Sequence, residues 1–311
     1  MDRNLSRPVM VSIAAVERDT GISKDTLRVW ERRYGFPAPE RDEFGERTYP
    51  LDQLEKLRLL KRLMDAGHRP GKIVGYSMDE LQRLAEGVAT QPQPANSGGE
   101  APDLRQYLEL IKSHDVEELR RALSQALLRG GLARFVTDVV APLNMMVGDA
   151  WMRGYFEIFE EHLYTESIQM VLRNAINTIP EPQASQQAPR VLLTTFPQEP
   201  HGLGLLMAEA LFALEGCKCL SLGTQTPIFD IVMAARAQRA DIVALSFSMA
   251  LNPNQVIEGL RELRDKLPAA TALWAGGASP ALQRRALPGV HVVSSLGGLH
   301  TALQDWRAAA A

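Results

Sequence analysis

The chain is 311 residues long with 45% hydrophobic residues, too long for one small domain and suited to two or three units with real cores. Its formal net charge of −3 excludes a uniformly basic nucleic-acid binder, so contact with DNA has to come from a local patch. No run approaches the ~18 unbroken apolar residues of a bilayer span, and the first residues lack the apolar core of a signal peptide, so a cytoplasmic protein without a membrane partner is expected.

Residues 11–35 place two short helices around a turn at Gly21, and Ser23 is suited to cap the second. Beyond Ser23, the residues Lys24, Asp25, Thr26, Arg28 and Arg32 can face outward while Leu27 and Trp30 pack inward. A recognition helix is built that way, and so is an ordinary solvated amphipathic helix. A further helix is expected over 51–66, where Leu51, Leu54, Leu57, Leu60 and Leu63 recur before Gly67 and Pro70.

Residues 87–102 are rich in Pro, Gly, Gln and Ser, and 179–189 repeat that composition; both read as linkers. The spacing of Leu104, Tyr107, Leu108 and Ile111, then of Leu119, Leu123, Ala126 and Leu127, predicts a helical bundle between them. After the second linker the pattern alternates in the doubly wound manner, with strands expected at 191–196, 219–222, 241–247, 271–275 and 290–294. Helices are expected at 204–215, 228–238, 253–266, 280–286 and 298–308. Cys217 and Cys219, the two cysteines of the chain, stand too close to staple a fold and read as small core residues. The fold class is therefore multidomain α and α/β: a head over 1–80, a linker over 81–102, a bundle over 103–180 and a Rossmann-like parallel sheet over 188–311.

The feature richest in chemistry is Glu199-Pro-His201-Gly202-Leu-Gly204, set where the first of these strands gives way to a helix. That edge of an open parallel sheet is where ligands bind, and a neutral imidazole is a good transition-metal ligand. In the bundle, Trp151 precedes Glu161-His162 by nine residues; taken alone, these aromatics are bundle core and His162 is a helix-face residue. His68, His114, His291 and His300 lie apart without ligand spacing and receive no role.

The pattern Glu-x-His-x-x-Gly, with Ser246-Phe-Ser248 and Gly276-Gly277, resembles the cobalamin-binding domain of methyltransferases, mutases and certain bacterial regulators. Residues 27–35 with Arg47-Thr-Tyr49 resemble the winged helix-turn-helix of the MerR family over 9–76. The three regions together resemble the CarH/LitR light-dependent regulators, in which Trp-x9-Glu-His belongs to a cobalamin-capping bundle. The resemblance implies a repressor that holds adenosylcobalamin as chromophore, binds double-stranded operator DNA, and works as a homo-oligomer, dimer or tetramer, rather than as an enzyme.

By that analogy His201 is the lower ligand to cobalt and Glu199 its orienting partner. Ser246 and Ser248 meet the nucleotide tail, and Gly202, Gly204, Gly276 and Gly277 admit the corrin or its tail. Trp151 stacks over the adenosyl group, with Glu161 and His162 completing its pocket. Arg28, Arg32 and Arg33, with Arg41 and Arg47 of the wing, contact DNA; Lys24 and Thr26 face the groove and Tyr49 touches backbone. The long dimerisation helix of the metal- and drug-sensing MerR proteins is missing, so oligomerisation falls to the C-terminal units.

One position departs from the pattern. In light-switching members a histidine directly after the tryptophan can bind cobalt once the adenosyl group has left. Here Met152 stands there, and a thioether is a poor partner for hard, oxidised cobalt. The alternative functions are a regulator with a vestigial pocket or one holding another tetrapyrrole, and the corrinoid subunit of a methyltransferase.

Overall fold

The structure is a computed structural model that describes residues 10–65, 67–88, 103–180, 188–284 and 287–310. They form two compact units: the first takes in the residues through 88 together with Met152–Tyr155, and the second takes in the remainder. The stretches 89–102 and 181–187, which hold most of both expected linkers, lie outside the described residues.

The first unit runs β1 (Met10–Ser12), α1 (Ile13–Thr20), α2 (Lys24–Tyr34), β2 (Glu40–Arg41), β3 (Arg47–Pro50), α3 (Leu51–Asp65), α4 (Pro70–Ile73) and α5 (Met78–Val88). Its antiparallel sheet has the order β1-β3-β2. Ser12 and Ser23 cap α1 and α2, accepting from the N–H groups of Ala15 at 3.3 Å and Thr26 at 3.2 Å. Leu27 and Trp30 are buried at 0% and 4% exposure against Val16, Leu57 and Leu60, and truncating such a leucine costs about 2–5 kcal/mol. The expected boundary at 80 is too early. Leu81 and Ala85 are both fully buried one turn apart on α5, so the start of the assumed linker is head core.

The second unit opens with a bundle: α6 (Arg105–Lys112), α7 (Val116–Arg134), a π-helical stretch at Phe135–Val140, α8 (Ala141–Met152) and α9 (Ile158–Asn177). The backbone of α7 breaks at Gly131, with φ 75° and ψ 162°, and periodicity gave no sign of that break.

The parallel sheet follows as β4 (Arg190–Thr194), α10 (Leu203–Leu214), β5 (Lys218–Ser221), α11 (Ile228–Ala237), β6 (Ile242–Phe247), α12 (Pro253–Lys266), β7 (Ala272–Gly277), α13 (Ala281–Arg284), β8 (Val290–Val293) and α14 (Leu299–Ala310). The strand order is β5-β4-β6-β7-β8, and every pairing is parallel. Alternation along the strands splits the core. Val191, Leu193, Ile242 and Ala244 share a cluster with α10 and with Tyr164, Ile168 and Leu172 of α9, so bundle and sheet are joined by one core. Leu192, Val243, Leu245 and Leu273 pack on the other face with Ile231 and Leu260. Cys217 is buried just before β5 and Cys219 is half-buried within it.

No helix among the described residues is long and apolar enough to cross a membrane.

Candidate functional site

The chain leaves β4 outward to β5 and returns across it to β6, so the loops after β4 and β6 diverge from a switch point at the carboxyl edge. The first loop brings Glu199 and His201, and the second brings Ser248. Glu199 is fully buried and is held from every side. His201 donates its backbone N–H to Oε1 at 3.1 Å, and its ring Nδ1 lies 2.6 Å from the same oxygen. Ser248 donates its backbone N–H to Oε2 at 2.7 Å and shares its hydroxyl between both oxygens at 3.0 and 2.8 Å.

Burial alone would push the Glu199 carboxyl up, but the bonds from the His201 ring and from the Ser248 backbone and hydroxyl outweigh it and hold the group below its ordinary value. A carboxylate facing Nδ1 makes that nitrogen the N–H donor. A bond from the imidazole to a metal therefore runs through Nε2, with the ring oriented and made more basic from behind. The His201 side chain is 58% exposed.

The glycines divide into two kinds. A Cβ on Gly204 would lie 2.6 Å from Ser246 Oγ, and one on Gly202 3.1 Å from Thr224 Cγ2, so both glycines let the start of α10 lie close to its neighbours. Gly277, at φ +111°, faces the Phe247 backbone so closely that no Cβ fits. Gly276 has ordinary room, 3.4 Å from the Val293 carbonyl oxygen. The Ser248 hydroxyl is committed to Glu199, and Ser246 is half-buried against Gly204.

In the bundle, Trp151 is half-buried at the end of α8, packed against the shared core. Glu161 ends the first turn of α9 and His162 follows it. Glu161 accepts from the Thr165 hydroxyl at 2.6 Å, and His162 lies 3.7 Å from Glu161 with its side chain 69% exposed. The neighbouring Glu160, which the motif passed over, is 2% exposed and binds Lys112 and His114.

In the head, Arg28, Arg32 and Arg33 on α2 and Arg41 at the wing are exposed. Arg28 pairs with Asp25 at 3.1 Å and Arg41 reaches the Gly45 carbonyl at 2.6 Å, both solvent-exposed contacts. Lys24 is half-buried beside Glu17, and the Thr26 hydroxyl meets Ser23 at 2.8 Å. One expectation fails. Tyr49 is fully buried, since β3 is the central strand of the small sheet and its alternate residue faces the core, so it cannot touch the DNA backbone. Arg47 is half-buried and pairs with Glu31 at 2.9 and 3.4 Å, a bridge from β3 to α2.

Residues 11–86 match the MerR HTH family regulatory protein model, and two B12 binding domain models match 103–175 and 189–302. The chain therefore carries a MerR-type helix-turn-helix head followed by two B12-binding domains. It is 28% identical over 281 residues to the HTH-type transcriptional repressor CarH of Myxococcus xanthus, covering 88% of this chain and 90% of that protein. To the repressor CarA of the same organism it is 28% identical over 253 residues, covering 80% and 81%. The monomethylamine corrinoid protein of Methanosarcina barkeri shares the fold of the second unit, with a TM-score of 0.52 at 13% identity over 65% of this chain and 96% of that one.

Proposed function

We propose that this chain is a cobalamin-dependent transcriptional repressor that takes adenosylcobalamin, works in the cytoplasm as a homo-oligomer on double-stranded operator DNA, and answers to light. The observation that carries the reading is the exposed His201, braced through Nδ1 by a buried carboxylate at the sheet's carboxyl edge in a chain with a MerR-type head. The residues fit the group: His201 would hold cobalt, Glu199 would fix and strengthen that imidazole, and the closely packed start of α10 would let backbone approach the corrin. Trp151, Glu161 and His162 would enclose the upper face.

When bound, adenosylcobalamin supplies a photolabile carbon–cobalt bond. The protein's part is linkage: an assembly that binds the intact ligand better than its photoproduct shifts the population on DNA by that difference in affinity. Met152, directly after Trp151, offers a thioether rather than an imidazole, so this position would supply no second histidine to hold the metal.

The test mixes purified protein with adenosylcobalamin in the dark, removes free ligand, and follows the visible spectrum, the size-exclusion profile and operator binding before and after green light. A retained spectrum, lost in His201→Ala, with a light-dependent change in size and operator affinity is expected. Full retention in His201→Ala overturns the ligand assignment, and retention without any response to light removes the photoreceptor.

A further inference from the structure

Glu160 lies one residue before the Glu161-His162 pair, and its carboxylate is the best-tied group of the bundle. It accepts from Lys112 Nζ at 3.1 Å, from His114 Nε2 at 3.0 Å, and from the backbone N–H of Glu157 at 2.7 Å. Glu157 in turn caps the first turn of α9 in a reciprocal capping box with Glu160. One side chain thus closes the start of α9 on itself and fastens it to the end of α6, 46 to 48 residues away in sequence.

The other side of the fastening has an unusual backbone. His114 ends α6 in the left-handed region at φ +61°, where glycine is the usual residue. Its N–H bonds to the Ile111 carbonyl at 3.1 Å and the next N–H, of Asp115, to Leu110 at 3.1 Å. A histidine at this cap is explained by its ring, which bonds Glu160 and meets Phe159 edge-on at 5.1 Å. Glycine would serve the turn and lose the ring.

We infer that Lys112, His114 and Glu160 form a clamp that positions the Glu161-His162 turn over the cofactor. They act as positioning residues and not as contacts. This rests on the reading that the turn closes over adenosylcobalamin. Without the clamp, the first turn of α9 keeps its sequence but frays, and the two side chains no longer stand over the ligand in one arrangement.

Two variants test it on the full chain. His114→Gly suits the left-handed backbone and deletes only the ring; Glu160→Gln keeps the shape but places an amide N–H₂ among three donors. In the apo protein, amide exchange at 158–162 should accelerate by about tenfold or more in both, the scale of a lost charged hydrogen bond, while 170–177 and the melting temperature of His114→Gly stay near wild type. Adenosylcobalamin should leave both variants several-fold faster.

Unchanged local exchange and unchanged cobalamin release in both variants overturn the clamp. Acceleration spread evenly along all of α9 does so too, since it reports a structural part only. A wild-type chain that retains no adenosylcobalamin overturns the functional reading instead, and the apo exchange still reads the clamp by itself.

Discussion

Ser248 gives the carboxylate of Glu199 both its backbone N–H and its hydroxyl, so the loop after β6 sets the orientation of a histidine that follows β4. The serine acts on the candidate metal ligand through the carboxylate. Ser248→Ala removes the hydroxyl and leaves the backbone bond. It should cost the apo protein about 1–2 kcal/mol in urea unfolding and weaken cobalamin binding about tenfold. Affinity equal to wild type by equilibrium titration would show that the imidazole needs no such bracing.

Gly276 and Gly277 stand side by side at the end of β7 and should respond differently. At Gly277 a methyl group strikes the Phe247 backbone from a φ of +111°, so Gly277→Ala should lose about 2 kcal/mol or more. Gly276→Ala adds a methyl at ordinary contact distance and should stay within about 1 kcal/mol of wild type. Chemical denaturation of the apo proteins separates the two.

Head contacts can be told apart by salt. Arg28→Ala should weaken operator binding and lower the slope of log affinity against log salt by about one. Tyr49→Phe should leave operator affinity within about twofold and should not lower the melting temperature, because the Tyr49 hydroxyl is buried without a hydrogen-bond partner and its removal relieves a desolvated group. A large loss of DNA affinity in Tyr49→Phe would return that residue to the interface.

Glu160 predicts a pH dependence. Burial raises its carboxyl, but the Glu157 backbone, His114 and Lys112 prevail and hold it below the ordinary 4.5. A carboxyl whose pKa falls on folding contributes stability that is complete above its ordinary value and is lost as pH drops through the lower, folded value. Unfolding midpoints measured from neutral pH down to about pH 3 should therefore fall more steeply for wild type than for Glu160→Gln below its ordinary carboxyl range. Parallel curves would mean that the carboxylate contributes nothing by its charge.

Local sequence carried what local physics decides. Ser23 before Lys24, Leu27 and Trp30 three apart, and the alternation of β-runs and helical runs after 190 each place an element without knowledge of its neighbours. The Glu199–His201 pair was legible for the same reason, as its members are two residues apart. Ser248 reaches Glu199 across 49 residues and His114 reaches Glu160 across 46, and no periodicity reports such meetings. Tyr49 was misjudged because the order β1-β3-β2 turns that residue of the middle strand into the core, and the pairing of Arg47 with Glu31 spans 16 residues, which a hairpin read from sequence does not show. His114 did leave one trace, since a histidine at a helix end where glycine would serve invites the question of what its ring holds.

The cluster that joins α9 and α10 to the inner face of the sheet bears on how such a protein can be dissected. Family boundaries fall cleanly near 175 and 189, which suggests pieces that could be expressed or exchanged separately. Melting will not respect that seam: cutting there bares the apolar back of α10 together with that of α9, so bundle and sheet should lose their structure in a single transition, inherited as two modules and folded as one.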